Sequence, residues 1–152
     1  MEQIIKVKGT YNFLIKRGGK VVDSWKVDNL VVNAGLAQLA LLAGDATATP
    51  FTYIAVGTST TATAGSQTAL SAEITDSGLA RVAGTVSRIT TTVTNDTYKI
   101  TTTFSVSGTK TVEEVGIFNA SSSGTMLSRA LTTSKALASG DEFTVTYTLK
   151  FS

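Results

Sequence analysis

The chain has 152 residues, a net charge of +2, and neither Cys nor His. Only 16% of its residues are charged, against roughly 25% in an ordinary domain, which argues against a polybasic nucleic-acid binder and a charged disordered tail. The missing Cys and His exclude disulfides, cysteine nucleophiles, histidine bases and the usual zinc sites, and the length fits a single β-rich domain, residues 1–152, able to hold a core without staples.

In chain order, Met1-Glu2-Gln3 opens into an apparent strand with no basic and apolar leader, so no secretory signal is expected. Ile5, Val7, Tyr11, Phe13 and Ile15 alternate with Lys6, Lys8, Thr10, Asn12 and Lys16, the period of a half-buried strand. Gly18-Gly19 suits a tight hairpin turn, with Val21, Trp25 and Val27 on the return strand. Lys6, Lys8, Lys16, Lys20 and Lys26 make the one basic cluster, read as a solvated face rather than a docking site for an acidic partner. Asn33 to Gly44 reads as the one substantial helix, with Asn33 as N-cap, a stripe of Leu36, Leu39, Ala40 and Ala43, and Gly44 as the stop. Because Leu41 and Leu42 fall off that stripe, the helix is expected to be short and buried on most sides. The apolar run around it, Leu30 to Ala43, is about 14 residues, too short for the roughly 20 of a membrane span.

Phe51 to Val56 reads as a short strand ending at Gly57. Residues 58–68 (TSTTATAGSQT) lack charge and large side chains and are expected to form a flexible low-complexity loop, or an arm that a partner orders. Val86–Val93 and Tyr98–Val106 flank Asn95-Asp96 as a hairpin, with Tyr98, Ile100, Phe104 and Val106 on the core face and Lys99, Thr101, Thr103 and Ser105 on a threonine-rich outer face. Val112–Asn119, Thr125–Leu131 and Phe143–Phe151 complete the strands. About eight strands around one helix predict a mostly β fold, an antiparallel β-sandwich or a jelly-roll-like barrel.

No catalytic, cofactor-binding or metal-binding residues emerge. Glu113 and Glu114 are neighbours on a strand and point to opposite faces, so a structural ion pair or cap for one of them is the better reading than a glycosidase dyad. Asp141-Glu142 is the other adjacent acidic pair, and Ser134-Lys135 is a dipeptide rather than a nucleophile motif. The threonine face invites comparison with sugar-binding surfaces, although threonine is also ordinary strand filler. The chemistry points to a protein that is not an enzyme.

The order of segments carries more. The run VDNLVVNAGLAQLALLAG (Val27–Gly44), then FTYIAVGTSTTATAGSQTALSAE (Phe51–Glu73), VEEVGIFNASSSGTMLSRALT (Val112–Thr132) and FTVTYTLKF (Phe143–Phe151) resembles a family of small bacteriophage virion structural proteins. Relatives of this type are similar to head decoration (cement) proteins and to tail-fibre-associated proteins. The chain has no heptads, collagen-like repeat or other internal repeat for a fibre shaft, so the resemblance is taken to imply a capsid decoration protein on the capsid surface. It would bind and stabilise the major capsid protein shell as a homo-oligomer, with a trimer the expected form. The alternative is a tail, baseplate or fibre-associated protein with tail proteins as partners, contacting the host surface. Neither nucleic acid nor membrane is an expected partner, and synthesis in the host cytoplasm is expected.

Overall fold

A computed structural model describes all residues, Met1–Ser152. The chain runs β1 (Val7–Arg17), β2 (Lys20–Asp28), β3 (Leu30–Val31), α1 (Asn33–Gly44), β4 (Tyr53–Gly57), β5 (Val82–Ala83), β6 (Thr85–Ile89), β7 (Thr97–Ser105), β8 (Lys110–Phe118), β9 (Met126–Leu137) and β10 (Glu142–Phe151). They form two antiparallel five-stranded sheets, ordered β2-β1-β10-β7-β6 and β3-β9-β8-β4-β5. The fold is therefore a sandwich and not a closed barrel. The count exceeds eight because short strands line the edges: β3 and β5 have two residues each. Between β5 and β6 the chain changes sheets at Gly84, where a Cβ would run into the Ile100 side chain.

The opening hairpin forms as its sequence dictates. Gly18 and Gly19 both take positive φ, 57° and 78°, the backbone that a two-residue turn between twisted strands requires. Ile5 stays outside, because β1 begins at Val7. Tyr11, Phe13 and Ile15 face inward, and so do Phe143, Val145, Tyr147 and Leu149 of β10 and Ile100 and Phe104 of β7. Cross-strand register gathers the rings: Phe13 lies 5.0 Å from Trp25 and 5.9 Å from Phe143, and Tyr11 lies 4.6 Å from Tyr147. Such pairs contribute about 0.5–1.5 kcal/mol each beyond the area they bury.

The polar tips of these rings cross to the opposite layer. The Tyr11 hydroxyl bonds the Ser128 hydroxyl of β9 at 2.6 Å, the Trp25 indole N–H donates to Thr132 at 2.6 Å, and the Tyr98 hydroxyl donates to the Phe51 carbonyl at 2.7 Å. One sheet thus supplies both the apolar filling and the hydrogen bonds that fix its partner's position. Burial raises the Tyr11 and Tyr98 pKa values and pushes that of Tyr147 up to about 12, with Tyr147 adding repulsion at the other two.

Helix α1 has the expected span but not the expected placement. It is a surface helix: Gly35 is its only buried residue, and Leu36 and Leu41 are 46% and 48% exposed. Its inner side is Ala34, Gly35, Leu39 and Leu42. Gly35 sits so close to the Leu127 backbone that a Cβ would strike the carbonyl. This close approach, and not the leucine stripe, sets the helix's rotation. Val32 occupies the N-cap position without a side-chain bond, and the Asn33 amide donates to the Gly65 carbonyl at 2.8 Å.

The outer face of the second sheet is covered by the chain between β4 and β5. Beneath that cover lie Arg129 of β9 and Glu114 of β8, both fully buried. The Arg129 Nε–H donates to Glu114 Oε2 at 2.8 Å, and Nη2 touches the same oxygen at 2.7 Å without an N–H aligned to donate. Glu114 also accepts the Ser71 and Ala72 amides at 3.1 and 2.7 Å, while Arg129 Nη1 donates to the Thr61 carbonyl at 2.8 Å and to Gln67 Oε1 at 3.2 Å. Residues 58–68 therefore have no regular secondary structure but are tied to the sheet by hydrogen bonds rather than by apolar burial. A second arginine closes the same cover. Arg81 makes a bidentate pair with Glu73 (2.9 and 2.7 Å), donates to the Ala120 and Ser123 carbonyls, and stacks 3.6 Å above the Phe118 ring.

Two outcomes follow from this packing. Removing one member of the buried pair, by Arg129→Ala or Glu114→Ala, is expected to destabilise the fold by about 3–5 kcal/mol in urea denaturation, and removing both less than the sum, because no orphan charge remains. Above about pH 10, where unfolded tyrosines ionise, the folded chain keeps protons that the unfolded chain loses. The stability from the buried tyrosines is complete below that pH and is lost as pH rises toward the folded values, near 12 for Tyr147. Circular dichroism against pH should show this alkaline loss, and Tyr147→Phe should weaken it.

Candidate functional site

The acidic and nucleophilic residues do not converge on a cleft. Glu114 is held by Arg129 inside the sheet cover, while Glu113 lies half-buried beside it. The two are separated by an irregular register, since Val112 pairs with Lys135 but Glu114 with Leu131. Asp141 accepts two hydrogen bonds from Arg17, at 2.7 and 2.8 Å, and one from the Ala138 amide. These donors bring its pKa down to about 2, the Arg17 bonds first. Glu142, the first residue of β10, is exposed. Lys135 donates to Asp23 at 2.6 Å and lies 4.9 Å above the Trp25 ring, and Ser134 is exposed.

Two surfaces of contrasting character stand out instead. The outer face of the first sheet is a polar grid set by register. One row across the strands reads Asp28, Thr10, Thr148, Lys99 and Ser87, and the next Lys26, Asn12, Thr146, Thr101 and Thr85. The hydroxyls of Thr101 and Thr146 bond at 2.9 Å, and those of Thr103 and Thr144 at 2.8 Å. Of the expected basic cluster, Lys8 and Lys26 stand exposed on this grid, while Lys6 precedes the first strand and Lys20 borders the hairpin turn.

The second surface is apolar. A cleft of about 430 Å³ opens at one side of the sandwich, between α1 and the free edge of the first sheet. Leu39 and Leu42 of the helix form one wall, and Tyr98, Leu149 and Phe151 the other, with Phe51 between them. The exposed Leu36 and Leu41 lie on the same helix. The uniformly apolar helix was the signal available in the sequence; reading it as buried hid this surface.

No curated protein and no solved structure matches the chain. A family model described as "Podophage GP4 fiber I protein gp80" matches residues 29–148, from the junction of β2 and β3 to within three residues of the end of β10. The match includes α1, the covering segment and both members of the buried ion pair. The chain belongs to this gp80 family and is a phage virion structural protein.

Proposed function

We propose that the protein is a noncatalytic, fibre-associated component of a podophage tail. The carrying observation is the match of residues 29–148 to a family described by a fibre protein. This favours the tail alternative over the capsid decoration role first inferred from the resemblance. The sandwich supports the reading physically. It offers a hydrated polar face and, on another side, an apolar cleft, so a single small domain can present one surface to neighbouring virion proteins and keep the other in water. No heptad or other repeat runs through these 152 residues, and the part proposed for this domain is one seated at or near the fibre.

The test is its location and copy number in purified particles, by quantitative mass spectrometry after heads and tails are separated on a gradient. The protein is expected to travel with tails, in a number that is a small multiple of the tail's rotational order. Travel with heads, in a copy number matching the capsid subunits, would overturn the fibre reading and restore the cement reading.

A further inference from the structure

The segment before β1 carries an exposed Ile4-Ile5 pair between polar residues, and only its Lys6 bonds to the rest of the fold. Lys6 and Ser152 exchange backbone hydrogen bonds, and beyond that pair Ile4 and Ile5 are 73% and 68% exposed. The base of this arm lies beside Phe151, which lines the cleft, so the arm leaves from the cleft's rim. On the other rim is β6, the edge strand of the first sheet, whose outward backbone groups have no neighbouring strand. Its register with β7 turns Val86 and Arg88 toward the cleft, opposite Ile100 and Tyr98. Arg88 has no ion-pair partner, and neither has Glu2 of the arm. Asp96, on the same rim, is already engaged by the Thr91, Thr92 and Val93 amides.

We propose that the arm of one copy adds as a sixth strand along β6 of a second copy, with Ile4 in the cleft and Glu2 against Arg88. An extended arm puts Glu2 and Ile4 on the same side, so one register satisfies the apolar cleft and the lone guanidinium together. Pairing with an exposed edge supplies main-chain hydrogen bonds, and the cleft selects the side chain. The occupant is a second copy because the chain's own arm lacks the reach. Within one copy β10 and β7 separate β1 from β6, a lateral distance of about 14 Å at about 4.8 Å per strand spacing. Lys6 is tied to Ser152, so Ile4 and Glu2 lie only two and four residues past a fixed point, roughly 7 and 14 Å of extended chain, short of a strand added outside β6. The proposal concerns contact between copies and does not depend on where the protein sits on the virion.

The test is sedimentation of the full-length protein across the micromolar range, with melting curves for each variant. Wild type is expected to self-associate. Ile4→Asp, which lies outside the folded strands, should give a monomer with unchanged melting. Arg88→Glu should lower the association constant about tenfold, and combining it with Glu2→Arg should restore it. A wild type that stays monomeric at about 100 μM, or an oligomer indifferent to Ile4→Asp, would overturn the proposal. So would an Arg88→Glu protein that associates like wild type. Slow amide exchange at Ile4 and Ile5 in a monomer would assign the arm to its own cleft and overturn it equally.

Discussion

Arg129 and Glu114 face away from the inter-sheet core, on the side of the second sheet that a simple sandwich leaves to water. Charges there need no burial, yet both are fully enclosed, and the enclosure is made by the segment that they hold. Each carboxylate oxygen receives a backbone amide from Ser71 or Ala72, and the guanidinium reaches the Thr61 carbonyl. Desolvating two such ions costs several kcal/mol per ion unless the remaining lone pairs and N–H groups are met. Backbone groups of the covering segment, together with the Gln67 side chain, meet them. The loop and the ion pair are therefore conditional on each other. Leu70, Phe118 and Met126 pack as a small second core under this cover.

The strand pattern was legible wherever one face is core and the other water. The β1–β2 turn, the two faces of β7 and the alternation of β10 all follow from period-two burial and from glycines where φ must be positive. Legibility failed where that parity is broken. Register irregularities within the β8–β9 pair lie on either side of Glu114 and Arg129, so counting residues could not show that the two charges share a face. A structural ion pair or cap was expected for one of Glu113 and Glu114 without deciding which, and the partner of Glu114 lay within the apolar run MLSRAL and passed as ordinary strand. The helix failed for another reason. With Gln38 almost the only polar side chain, NAGLAQLALLAG carries no pattern that distinguishes inside from outside. Its orientation is set by Gly35 against the Leu127 backbone, a contact between backbones that no hydropathy pattern records.

That same lack of contrast is what leaves apolar surface on the helix side. Soluble monomers rarely expose large contiguous apolar patches. The polar grid on the first sheet has the opposite character, with threonine hydroxyls bonded to one another and Lys8 and Lys26 exposed. Membership of the gp80 family makes the chain a virion structural protein, and its surface divides into an apolar side and a hydrated side.

The mutual dependence of the ion pair and its cover is tested most directly by amide hydrogen exchange at Ser71 and Ala72, in wild type and in Glu114→Gln. Slow exchange in wild type, accelerated at these two amides and across residues 58–68 by the substitution, is the expected result. Exchange at the rate of a free loop in both proteins would show that the carboxylate does not hold the segment, and would contradict the account.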